Sequence, residues 1–114
     1  MSVVSDHVIA GLLHVQVLRD ESQPDPQASF TVQIIGPGFK RTFPISNNTV
    51  EDFKLSGVHV GGIPTDPTIR LQVENFALVP PGSTATAIGF LLVFKLVEIF
   101  QITLGSVPVS CALR

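Results

Sequence analysis

Three stretches of this chain alternate strictly between apolar and polar residues. They are Leu13-His14-Val15-Gln16-Val17, Ile69-Arg70-Leu71-Gln72-Val73-Glu74 and Val107-Pro108-Val109-Ser110-Cys111-Ala112-Leu113-Arg114. A two-residue period is that of a β-strand with one face buried and the other wet. Three such strands near the start, middle and end predict one β-sandwich domain over residues 1–114. No run combines a long 3.6-residue period with helix caps, so the expected class is all-β.

The remaining strands are read from apolar runs and turn residues. The first is expected over Val8–Leu18, followed by the polar loop Arg19 to Gln27 with its two prolines. Phe30, Val32 and Ile34 mark a second strand, Phe39–Ile45 a third and Val50–Leu55 a fourth. The glycine-rich stretch Gly57–Ile63 reads as a short fifth strand, Thr68–Glu74 as the sixth and Thr84–Lys95 as the seventh. Val97–Gly105 is ambiguous, since its β-branched content favours a strand while Val97, Phe100, Gln101 and Leu104 would also share one helical face, and Ser106–Arg114 closes the domain. The expected architecture is an eight-stranded antiparallel sandwich.

Composition narrows the function. The chain has 114 residues, of which 45% are hydrophobic and only 14% charged, against about 25% charged in ordinary soluble domains. Such a shortage of charge means either a compact core that takes up the apolar excess or an interface. A net charge of −2 argues against nucleic acid as partner, because phosphate binding needs a concentrated basic face. The apolar stretch Ile88–Leu104 is interrupted by Lys95, Glu98 and Gln101 and is shorter than a spanning helix, so a buried strand pair is expected there. Met1 to Asp6 lacks the pattern of a secretion signal, and the single cysteine forms no internal disulfide. Both features favour a cytoplasmic domain, in solution or peripheral to a membrane.

Candidate chemistry is sparse. His7, His14 and His59 are far apart in sequence, and parity sends His7 and His14 to opposite faces. They are poor metal ligands. Cys111 has inward parity and reads as a small buried hydrophobe. No nucleophile elbow or phosphate-cradling glycine loop occurs, so neither an enzyme nor a cofactor is expected. Asp20, Glu21 and Asp25 could offer oxygens to a hard cation, although clustered loop acids are usually just solvated, and no metal is expected. Lys40, Arg41 and Lys54 fall on neighbouring expected strands and form a candidate basic patch for anionic phospholipid or an acidic protein. The loop Phe76-Ala77-Leu78-Val79-Pro80-Pro81 is unusually apolar, which makes Phe76, Leu78 and Val79 a second candidate docking element.

Taken in order, these pieces resemble a C2 domain, the eight-stranded sandwich used for membrane and protein docking. The resemblance runs from about residue 10 to residue 114. It rests on Leu13-His14-Val15-Gln16-Val17, Asp25-Pro26, Lys40-Arg41-Thr42, Asn48-Thr49-Val50-Glu51-Asp52-Phe53, Ile69 to Asn75, Ile88-Gly89 and Gly105-Ser106-Val107-Pro108-Val109. It implies a docking module that binds a protein partner or an anionic membrane. Family members that bind Ca²⁺ carry aspartates in the third loop, where this chain has Asn75 and Ala77, so the resemblance implies a calcium-independent member. The rival expectation is a self-associating structural subunit, a jelly-roll protomer of a capsid, fibre or ring, since subunit interfaces resemble cores.

Overall fold

The computed structural model describes residues 1–24, 28–46, 48–57, 66–74, 87–98 and 102–112. Its elements are β1 (Ser2–Ile9), β2 (Leu13–Arg19), β3 (Phe30–Gly36), β4 (Phe39–Pro44), β5 (Val50–Lys54), β6 (Thr68–Glu74), β7 (Ala87–Leu96) and β8 (Ile102–Ala112). They form two four-stranded antiparallel sheets with strand orders β1-β2-β3-β4 and β5-β6-β7-β8. Each sheet is a meander, in which every strand pairs with its neighbour in the chain.

The alternating stretches do what their period dictates. Leu13, Val15 and Val17 on β2 are buried, and His14 and Gln16 between them face outward. Phe30, Val32 and Ile34 repeat the pattern on β3. From the other sheet come Ile69, Leu71 and Val73 on β6 and Val107, Val109 and Cys111 on β8. All belong to one continuous core between the sheets, which makes the fold a β-sandwich. Phe30 and Phe90 bridge the two layers edge to face, with ring centroids 5.3 Å apart.

Strand β7 explains the apolar stretch after residue 87. Ile88, Phe90, Leu92, Phe94 and Leu96 point inward, while Val93 on the outer side is buried too. As a central strand, β7 is covered by neighbours on both edges, pairing with β6 and with β8. The expected strand pair is therefore present. Among the described residues no helix is long and apolar enough to cross a membrane.

The first strand departs from expectation. Val8–Leu18 is not one strand but the end of β1, a turn and most of β2. Ala10 and Gly11 take φ values of 53° and 66°, and Leu12 N–H donates to Ile9 C=O at 2.9 Å. Two successive left-handed residues reverse the chain within a hairpin. Ala-Gly lacks the Asn-Gly or Asp-Gly signal, and a bulge between Val3 and Ser5 breaks the alternation of β1. Residues 102–105, read as strand or helix, are the first part of β8, with a bulge opposite Phe94 and Lys95. Of the expected fifth strand only Gly57 is among the described residues. It stands in a bend with φ 69°, its N–H donating to Asp66 Oδ1 at 2.7 Å.

The open edges of the two sheets meet on both sides. Edge strands β1 and β8 approach so closely at one side that a Cβ on Gly105 would lie 3.2 Å from Ile9 Cγ2. On the other side β4 and β5 face each other through Phe39, Phe43 and Phe53.

Candidate docking faces

Strand alternation sorts the polar residues among three surfaces. Pairing across the first sheet sets its outer face in rows. Val8, His14, Ile35 and Lys40 form one row across β1 to β4, Asp6, Gln16, Gln33 and Thr42 the next, and Val3, Leu18, Thr31 and Pro44 the third. Within this face Asp6 accepts hydrogen bonds from Gln16 (Nε2 to Oδ2, 3.0 Å) and pairs with His14 (Nε2 to Oδ1, 2.6 Å). These contacts, with Gln16 the stronger influence, hold the Asp6 carboxyl below the usual aspartate range. Val3, Val8 and Ile35 remain 53%, 65% and 40% exposed.

The outer face of the second sheet is different in kind. Asp52, Arg70, Lys95 and Thr103 form a row across β5 to β8, with Lys54 opposite Thr68 beside it. Arg70 grips Asp52 with two hydrogen bonds of 2.9 and 3.2 Å, which lower the Asp52 carboxyl and raise the Arg70 guanidinium. This bidentate geometry suits the planar guanidinium. Lys95 lies directly across from Arg70, an arrangement that like charges tolerate only because Asp52 neutralises Arg70 from the other side.

The third surface is the seam between β4 and β5. Arg41 donates to Glu51 (Nη2 to Oε2, 3.2 Å), and its guanidinium carbon lies 5.2 Å from the Phe53 ring centroid and 5.8 Å from that of Phe43. Phe39 stacks on the same Phe53 at 5.3 Å with ring planes 10° apart.

The expected basic patch is thereby divided. Lys40 stands on the outer face of the first sheet, Lys54 on that of the second, and Arg41 in the seam, already paired with Glu51. Alternation is the reason: Lys40 and Arg41 are adjacent in sequence and so point to opposite sides of β4. The apolar loop residues Phe76, Leu78 and Val79 lie outside the described residues, as do His59 and Asp25.

The other candidates fall into ordinary roles. Cys111 is buried, with Arg19 Nη1 3.8 Å from its sulfur. Asp20 accepts from the Ser22 backbone N–H (3.0 Å) and hydroxyl (2.6 Å), and Glu21 accepts from Ser2. Among the described residues no three His, Cys, Asp or Glu side chains gather where they could hold a metal ion. His7 pairs with Val15 and His14 with Val8, so the two histidines do face opposite sides of their sheet. What sequence reasoning missed is the contribution of β1: Val3, Asp6 and Val8 enter the outer face only through the hairpin at Ala10-Gly11.

No family model, curated protein or solved structure matches this chain. The fold and its surfaces define it as an antiparallel two-sheet sandwich with one charge-poor and one charge-rich outer face.

Proposed function

We propose that this domain is a non-enzymatic, calcium-independent docking module that binds a protein partner through the outer face of its first sheet. The observation that carries the reading is the composition of that face. Among the described residues, Asp6, His14 and Lys40 are its titratable side chains, set among Val3, Val8, Leu18, Ile35 and uncharged polar residues. Protein interfaces are depleted of charge at their centre in this way and mix apolar contacts with amide and hydroxyl hydrogen bonds. Exposed β-branched residues on β1 and β3, with the half-buried Leu18 on β2 between them, form an apolar surface suited to a partner.

The division of Lys40, Arg41 and Lys54 among three surfaces favours a protein over a phospholipid target. Attraction to an anionic bilayer grows by about 1 kcal/mol for each cation that reaches it, and here those three cannot reach it together. The ordered motifs shared with C2 domains support docking as the role, and Asn75 and Ala77 in place of third-loop aspartates support calcium independence.

Co-sedimentation with phosphatidylserine vesicles, with and without Ca²⁺, tests the choice of target. The chain is expected to stay in the supernatant in both conditions. Pelleting with the vesicles would move the docking role to the membrane and overturn the protein reading.

A further inference from the structure

We infer that the partner of this outer face is a second copy of the same chain, bound face to face about a two-fold axis that runs along the strands. The inference rests on reading that face as a protein-docking surface. The charge of the face is self-complementary. The acid of the face, Asp6, is on β1 at one edge of the sheet, and its base, Lys40, is on β4 at the other.

A strand-parallel two-fold sets β1 of one copy over β4 of the other. Asp6 then faces Thr42 of the second copy, one row from Lys40, whose four-carbon stem spans that distance. The two-fold makes this contact twice, so each copy contributes one acid and one base to the interface. The same operation sets Val3 over Pro44, Leu18 over Thr31, Gln16 over Gln33, His14 over Ile35 and Val8 over the aliphatic stem of Lys40, so that no two like charges face each other. Asp6 already accepts from Gln16 and His14, and a carboxylate has acceptor sites left for an incoming ammonium.

The outer face of the second sheet offers no such match. Asp52, Lys54, Arg70, Glu74 and Lys95 crowd it, and the same strand-parallel two-fold would set Arg70 over Lys95 of the second copy, like charge on like charge. Burying those charges against a copy would desolvate them without new partners.

The size of the face sets the strength. Four strands about 4.8 Å apart and roughly seven residues long cover on the order of 450 Å² per copy. That is about half the standard interface of roughly 800 Å² per partner, so the dimer is weak and reversible.

Sedimentation velocity across the micromolar to millimolar range tests this, using the full chain and the variants Asp6→Lys, Lys40→Asp and the two combined. The expected result is a concentration-dependent dimer whose dissociation constant rises about tenfold or more in each single variant and recovers in the double swap. Circular dichroism of each variant confirms that the fold is kept. A dimer indifferent to both single swaps, or single-swap losses that the double swap fails to restore, would overturn the two-fold. A chain that remains monomeric throughout would overturn the second copy as partner while leaving the docking face available to a different protein, which photo-crosslinking from position 35 in cells would reveal by the mass of its adduct.

Discussion

The guanidinium of Arg41 lies over the ring of Phe53, 5.2 Å from its centroid, and joins the two sheets along an edge where no backbone ladder runs between β4 and β5. Phe39 and Phe43 come from one sheet and Phe53 from the other, so the stack closes the sandwich on that side. Arg41 covers the stack and ties itself to Glu51 on β5.

Replacing Arg41 with Ala is therefore expected to destabilise the domain by about 1 kcal/mol, combining a partly exposed cation–π contact with a surface ion pair. Lys at this position restores less than half, because an ammonium lacks the planar stacking surface and the fork of donors. A double-mutant cycle in denaturant with Glu51→Gln is expected to give a coupling of a few tenths of a kcal/mol. A coupling near zero would show that stacking alone holds the seam.

The hairpin between β1 and β2 holds Ala10 at φ 53°, where a Cβ is unfavourable. Ala10→Asn supplies the Asn-Gly pair that such turns prefer and is expected to raise stability by about 0.5 to 1 kcal/mol. Gly11→Val, at φ 66°, is expected to lower it by more than 1 kcal/mol. Chemical denaturation of the two variants checks both signs.

Leu71 and Leu92 are fully buried on the central strands of the second sheet. Each change to Ala is expected to cost about 2 to 5 kcal/mol, the range for cavities that relax only partly. Gln72→Ala, one residue from Leu71 but facing outward, is expected to change stability by less than about 0.5 kcal/mol. Equal effects at 71 and 72 would contradict the register of β6.

Asp6 and Asp52 both titrate below the ordinary aspartate value in the folded chain. A lowered folded value means that the unfolded chain binds protons first as the pH drops. Their contribution is complete above the ordinary value of about 3.9 and fades as the pH falls through the lowered folded values. The doubly substituted Asp6→Asn, Asp52→Asn chain is thus expected to lose less stability than the parent on acidification below about pH 4, measured by thermal melts across that range. An unchanged acid limb would remove these two pairs from the account.

How much of this was written legibly in the chain depends on period. Thr68–Glu74 alternates without interruption, and β6 has those very ends. Cys111 inherits its buried place from the same parity rule. β1 was not legible, because its bulge destroys the period and because Ala-Gly is a weak turn signal. The basic patch failed for a related reason. Nearness in sequence put Lys40 beside Arg41, whereas a strand sends neighbours to opposite sides. The outer face could be recognised only after pairing had placed Asp6 beside Gln16 and Val8 beside His14, information that no single stretch contains.

The central claim is that the outer face of the first sheet docks a protein, and photo-crosslinking tests it most directly. Benzoylphenylalanine placed at position 35, on that face, is compared in cells with the same probe at position 72, on the outer face of the second sheet. The account predicts a discrete adduct from position 35 and none of comparable yield from position 72. An adduct of twice the chain's mass identifies a second copy, and any other mass a different protein. Absence of an adduct at 35, or equal yields from both positions, would contradict the claim.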